Sequence, residues 1–245
     1  MSKIFVTGSA DGLGLLAAKA LVAQGHEVVL HARNHERGQQ ALKGAPGASA
    51  VFTGNLASVA ETKALADQLN AWGTFDAVIH NAGVYEARPT DIFPINTLAP
   101  YVLTCLMHKP QRLVYLTSGL HQQGKYSFEN FKHNGGVSYA DSKLHVVMLS
   151  LALSRHWPDV YANAVNPGWV PTKMGGANAP DDLQQGYETQ VWLATSNDAT
   201  AKVSGRYFFH QKIKPHNPLA DNVNAQEELL RRCGEVTGVD FPGKI

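Results

Sequence analysis

Short apolar runs alternate with stretches of helical spacing along most of this chain, and that alternation narrows the possible folds more than any other feature. Residues 4–7, 28–30, 50–52, 75–80 and 113–117 are rich in Val, Ile and Phe, long enough for buried strands and too short for helices. Between the first four lie residues 13–24, 35–42 and 59–72, whose apolar positions recur at helical spacing. Strand, helix, strand in strict order means right-handed crossovers and parallel strands covered on both faces. Residues 137–156 read as a long helix, 161–165 as a strand, 183–195 as a helix and 207–209 as a last strand. The expectation is α/β: a Rossmann doubly wound, parallel sheet of about seven strands with helices on both faces, in a single domain over residues 1–245. Residues 170–182 and 210–245 are expected to be irregular and to lie on the substrate side.

In such sheets ligands bind beyond the carboxyl ends of the strands, so the residues closing each strand carry the functional information. The first strand runs into Thr7-Gly8-Ser9-Ala10-Asp11-Gly12-Leu13-Gly14. Glycines at a strand-to-helix turn let the backbone turn sharply, admit a pyrophosphate to the amides and aim the positive helix end at it. The second strand ends at Ala32-Arg33-Asn34, and no carboxylate occurs from Val28 to His35. An acidic side chain there would hold both ribose hydroxyls of NAD, whereas a 2′-phosphate calls for an arginine, so Arg33 points to NADP(H). Tyr139 and Lys143 are four residues apart on the expected helix, which stacks phenol and ammonium on one face. A phenol of pKa about 10 becomes a useful proton shuttle near neutrality only if a fixed cation favours its anion. Ser118 closes the fifth strand, Asn81-Ala82-Gly83 the fourth and Asn166-Pro167-Gly168 the sixth.

The TGxxxGxG turn, the Asn-Ala-Gly strand end, the serine and the YxxxK, in this order, resemble the short-chain dehydrogenase/reductase family over roughly residues 3–210. The stretch from Tyr139 to Leu153, Pro167 to Thr172 and Gly205 to Phe208 look closest to its retinol-dehydrogenase-like and WW-domain-oxidoreductase-like branch. The resemblance implies hydride transfer between a nicotinamide and a carbonyl or alcohol. Ser118 would bind the carbonyl oxygen, Tyr139 would protonate it, Lys143 would bind the nicotinamide ribose and lower the Tyr139 pKa, and Asn96 would position a water in the proton relay. The cofactor would lie against Gly8, Ser9, Asp11, Gly12, Leu13, Gly14, Arg33 and Asn34. Asn55 and Leu56 would meet its adenine, and Asn81, Ala82, Gly83, Tyr139 and Lys143 would flank its further course, with Pro167, Gly168, Val170 and Thr172 at the carboxamide. Asp11 departs from the pattern, since NADP-binding relatives often carry a basic residue there. Tyr85, His121, Tyr126 and Trp169 are candidate pocket walls. Only 14 residues separate Asn81 from Asn96, so the helix before Asn96 must be nearly absent.

Composition removes other classes. The 21 Lys plus Arg against 20 Asp plus Glu give a net charge of +1, without the footprint of a general nucleic-acid or anionic-membrane binder. Two cysteines form neither a disulfide framework nor a metal site, and the N-terminus lacks a signal peptide, so a cytoplasmic protein is expected. Eleven histidines occur without HExxH or paired ligand spacing, so no metal is expected. The partner is a small carbonyl or alcohol. Residues 144–153 are apolar almost all round, which together with the resemblance implies a homodimer or homotetramer. The alternative readings are an NADP(H)-binding sensor that catalyses nothing and a reductase of a conjugated C=C bond.

Overall fold

The computed structural model describes residues 1–243 apart from 86, 127, 129–130 and 132–135. Strands β1 (Lys3–Val6), β2 (Glu27–Ala32), β3 (Ala50–Thr53), β4 (Ala77–His80), β5 (Arg112–Leu116), β6 (Tyr161–Asn166) and β7 (Tyr207–Phe209) pair in parallel. β8 (Lys212–Ile213) adds antiparallel to β7, giving eight strands in the order β3-β2-β1-β4-β5-β6-β7-β8. The order reverses at β1, whose neighbours are β2 and β4, and the crevice of a doubly wound sheet opens at that reversal.

Period two along the strands sends alternate residues to opposite faces. Phe5 therefore joins one core while Ile4 and Val6 join the other. Helices α1 (Gly12–Ala23), α2 (His35–Gly44) and α7 (Leu183–Thr195) cover the Ile4 face, and α3 (Val59–Trp72), α5 (Ala99–Leu106) and α6 (Tyr139–His156) cover the Phe5 face. Each fully buried Leu, Ile or Phe contributes about 1.5–3 kcal/mol of transfer free energy, which is what drives both layers onto the sheet. Between β4 and α5 the chain makes only a five-residue helix, α4 (Pro89–Phe93), followed by a π-helical turn over Pro94–Leu98. No helix among the described residues is long and apolar enough to cross a membrane.

The tail departs from the irregular course expected for residues 210–245. His210 and Gln211, both left-handed at φ 48° and 60°, turn β7 back into β8 as a two-residue hairpin. Such turns favour Gly and Asn, which is why this one left no sequence signal. A 15-residue helix, α8 (Val223–Thr237), follows, capped by Asn222 at its start and by left-handed Gly238 at its end. It buries Ala225, Leu229, Leu230 and Cys233 along one face. That face lies on α6, where Arg155 Nη2 donates to Gln226 Oε1 at 2.7 Å and His156 pairs with Glu227 at 3.0 Å. The all-round apolar character of α6 is thus satisfied within one chain: the sheet takes one side and α8 the other.

Candidate active site

The glycine turn between β1 and α1 is built from outside its own segment. Gly8 and Gly12 are left-handed at φ 63° and 52°. A Cβ on Gly14 would lie 2.5 Å from the Gly8 carbonyl oxygen, so only glycine fits there. Asn81, at the end of β4, donates its amide to the Thr7 and Gly8 carbonyls at 3.0 and 3.3 Å, and the Ala82 amide donates to the Thr7 hydroxyl at 3.0 Å. Ser9 turns inward and donates to the Val6 carbonyl at 2.9 Å.

His31 on β2 is the supporting residue that sequence reading missed. Its Nδ1 accepts from the Gly8 amide at 3.0 Å and its Nε2 meets the Gly54 carbonyl at 2.9 Å. The two contacts fix the neutral Nε2–H tautomer, and burial lowers the pKa to about 4. A histidine inside a strand gives no local hint of partners 23 residues away on either side.

Across the turn, Thr172 brings its methyl to 3.9 Å from where a Gly12 Cβ would stand, and its hydroxyl accepts from the Gly175 amide at 3.2 Å. Val170 is buried, and Leu13 and Val170 both approach Gly186 on α7. The turn leads straight into the N-terminus of α1, the positive end of a helix dipole that suits the pyrophosphate of a dinucleotide, and a Cβ on Gly8 would come to 3.0 Å from the Ala82 Cα.

At the end of β2 Arg33 is exposed, and Asn34 caps α2 by accepting from the Arg37 amide at 3.0 Å. Arg37 belongs to the same cluster and was not singled out from the sequence. Its guanidinium lies 3.3 Å from the Asp11 carboxylate, which also caps Gly12 at 2.9 Å and pairs with Lys173. Lys173, then burial acting the other way, then Gly12 and Arg37 leave the Asp11 carboxyl below its ordinary pKa. Asn55 is exposed and holds an Asx turn, accepting from the Ala57 amide at 3.1 Å, while Leu56 is buried beside it.

The chemistry-bearing residues meet at the β5 edge. Ser118 follows β5 and caps a 3-10 turn over Gly119–Gln123. Tyr139 opens α6, whose start is fixed by a capping box between Ser138 and Asp141. The Ser118 hydroxyl lies close enough to the Tyr139 phenol to lower its pKa. One turn on, Lys143 Nζ stands 5.5 Å from the Tyr139 ring centre and donates to the Leu116 carbonyl at 3.0 Å. A Cβ on Gly83 would come to 3.0 Å from that ammonium, so glycine leaves the lysine its path. Lys143 is 4% exposed, and burial lowers its pKa to about 8.

The Tyr139 pKa does not move as expected from Lys143. Burial raises it above the ordinary phenol value and Tyr85 adds to the rise, while the Ser118 hydroxyl opposes both. Asn96, in the π-helical turn, accepts from the Val84 amide at 2.8 Å and donates to the Val84 carbonyl at 2.9 Å and the Ser142 hydroxyl at 3.0 Å. Its amide thus ties the β4 loop to the helix that carries Tyr139.

Of the pocket-wall candidates, Tyr85 packs edge-on against Tyr139 with ring centres 4.7 Å apart and is 44% exposed. Trp169 is 60% exposed, beyond β6. His121 is 0% exposed and packs on Tyr207, so it walls no pocket. Tyr126 accepts from Asn222 at 3.2 Å and stacks on Phe128, on the side of the tail. Pro167 and Gly168 make the bend after β6, with Gly168 left-handed at φ 87°.

A sequence model described as short chain dehydrogenase matches residues 2–106. The chain is 47% identical to an uncharacterized oxidoreductase of Emericella nidulans, across 99% of this chain and 100% of that one. It is 39% identical to the short-chain dehydrogenase chyC of Penicillium rubens, again across 99% and 100%. Retinol dehydrogenase 14 of Mus musculus matches at 27% over 96% of this chain and 84% of its own. Among solved structures, an uncharacterized protein from Mycobacterium paratuberculosis shares the fold with a TM-score of 0.81 at 20% identity, covering 99% of this chain and 95% of that one. A Shigella flexneri short chain dehydrogenase complexed with NADP does so with a TM-score of 0.67 at 24% identity, covering 86% and 97%. The chain belongs to the short-chain dehydrogenase/reductase family.

Proposed function

We propose that this oxidoreductase is an NADP(H)-dependent carbonyl reductase in which Tyr139 is the acid and base. The observation that carries the reading is that the Ser118 hydroxyl, the Tyr139 phenol and buried Lys143 come together at the strand edge that also holds the glycine turn. The nicotinamide supplies the hydride; positioning and proton handling fall to the protein. Ser118 donates to the substrate oxygen, and Tyr139, whose raised pKa keeps it protonated at neutral pH, delivers the proton there. Lys143 brings positive charge to the same place while it remains an ammonium. Tyr85, Leu120, Trp169 and Met174 are exposed apolar side chains on the loops after β4, β5 and β6, which favours carbonyl compounds with an apolar body.

The direct test is NADPH oxidation with a panel of aldehydes and ketones. Turnover supports the reading. Tight NADPH binding without turnover of any carbonyl would instead support a sensor, and turnover confined to enones with a saturated product would support C=C reduction. In the reducing direction the rate should fall as pH rises through about 8, where Lys143 loses its proton. Lys143→Arg, charged at every accessible pH, should remove that limb, and an unmoved limb would take the role from Lys143.

The preference for NADP(H) rests on Arg33 and Arg37 and on the lack of a carboxylate at the end of β2. A 2′-phosphate would take over Arg37 from Asp11. A charge-assisted hydrogen bond is worth about 1.5–3 kcal/mol, so Arg33→Ala should raise the NADPH Kd about 10- to 100-fold and leave NADH nearly unchanged. Equal losses for both cofactors would count against the assignment.

A further inference from the structure

The loop that carries Ser118 is held from outside the Rossmann core. His121 Nδ1 lies 2.6 Å from the Ser118 carbonyl oxygen, and the His121 amide donates to that same oxygen at 3.1 Å. On the far side of the ring, Nε2 accepts from the Asn217 amide at 3.2 Å, so the imidazole is neutral and carries its proton on Nδ1. The Asn217 side chain completes the clamp. Its Nδ2 reaches the carbonyls of His121, Gln122 and Gly124 at 3.1, 3.3 and 3.1 Å, and its Oδ1 accepts from the Leu219 amide at 3.0 Å. At the end of the short turn that Ser118 caps, the His121 carbonyl accepts from the Gly124 amide at 3.0 Å, and a single carboxamide from almost 100 residues away adds a second donor to it and reaches the Gln122 and Gly124 carbonyls as well. Asn217 is 5% exposed, so these contacts are made with little competition from water. Gln122 Nε2 adds an outer tie to the Pro215 carbonyl at 3.1 Å.

The opposite side of the loop is fixed to the helix of Tyr139. The Lys125 amide donates to Asp141 Oδ1 at 2.7 Å, and Gly124 sits so close to α6 that a Cβ would come 2.5 Å from the Ala140 carbonyl oxygen. The segment from Ser118 to Lys125 is therefore gripped by α6 on one side and by the tail on the other.

We propose that Asn217 is a positioning residue for the reaction: acting through His121 and the turn carbonyls, it sets where the Ser118 hydroxyl stands relative to the Tyr139 phenol. The inference rests on the reading of Ser118 as the group that orients the substrate oxygen. Its consequence is that the tail beyond β7 is part of the catalytic apparatus and not an appendage.

Removing the clamp should misplace Ser118 without touching the cofactor cleft. Displacements of about 1 Å at such a group cost on the order of 100-fold in rate. Asn217→Ala should lower kcat about 10- to 100-fold, leave the NADPH Kd within about twofold, and raise the primary isotope effect with NADPD as hydride transfer becomes slower. Asn217→Ser, shorter but still polar, provides a second variant should the alanine protein fold poorly, with both assayed well below their own Tm. A lower Tm with unchanged kcat and isotope effect in a folded variant would overturn the proposal, leaving Asn217 a structural residue. Ser118→Ala separates the two readings: full turnover in that variant removes the function assigned to Ser118, whereas its loss beside unaffected Asn217 variants removes only the positioning role.

Discussion

Replacing Tyr139 by Phe is expected to lower kcat for carbonyl reduction about 10²- to 10⁴-fold, with the NADPH Kd within about twofold of the parent. The substitution deletes one oxygen and keeps the ring that packs edge-on against Tyr85 at 4.7 Å, so the architecture of the site should survive it. What disappears is the phenol oxygen proposed as the proton donor, beside the Ser118 hydroxyl. In free energy the loss is about 3–5.5 kcal/mol of transition-state stabilisation, since each factor of ten is about 1.4 kcal/mol. Burial holds the phenol above its ordinary pKa, so in the reducing direction the acid is already in its working form at neutral pH. The oxidising direction needs the anion and should therefore gain with rising pH while reduction declines. A Phe variant that keeps more than a tenth of the parent kcat would remove Tyr139 from the chemistry. Unchanged Kd and Tm beside a lost kcat would locate the defect in proton transfer alone.

Sheet and helices were legible because each strand and helix carries its signal locally. The spans 59–72, 183–195 and 207–209 are found as α3, α7 and β7 with the ends the periodicity indicated. The glycine turn, Ser118 and the Tyr139–Lys143 pair were legible for a related reason: spacing along one turn or one helix is a local quantity. What stayed hidden lies in contacts between distant residues. His31 holds Gly8 from the next strand, and Asn217 holds the Ser118 loop from the tail. In the sequence each is an ordinary polar residue with nothing nearby to mark its partner. The sign of the Tyr139 shift was hidden for the same reason, because burial is a property of the assembled site and is the largest cause of that shift. Helix α8 is different. Ala225, Leu229, Leu230 and Cys233 make an apolar stripe between an Asn cap and a C-terminal glycine, so its signal was present locally. It lies in the tail, beyond the stretch that the family resemblance covers.

Acid should destabilise this fold well before its carboxylates are protonated. His31, His80 and His145 are all buried, and burial lowers their pKa values to about 4, 3 and 4 from an ordinary 6.5. Each has a neutral role in the structure. His31 bridges Gly8 and Gly54, His80 stacks on Tyr115 at 4.7 Å, and His145 meets the Thr97 hydroxyl at 3.2 Å among Phe93 and Phe131. A folded pKa below the unfolded one means that the unfolded chain binds more protons, so stability is full above about pH 6.5 and is lost as pH falls toward 3–4. At pH 5 each ring lies about 1.5 units below its unfolded pKa and costs about 2 kcal/mol, hence about 6 kcal/mol for the three. That is comparable to the whole stability of an ordinary domain, about 5–15 kcal/mol, and His26 and His121, both shifted downward, act in the same direction. Urea unfolding at pH 7 and pH 5 should therefore show a fall of about 6 kcal/mol with an uptake of nearly three protons. His145→Gln should remove about a third of that dependence even if its stability at pH 7 is lower. A difference under about 1 kcal/mol between the two pH values would mean that the three rings are not held neutral, and the tautomer assigned to His31 under the glycine turn would fall with them.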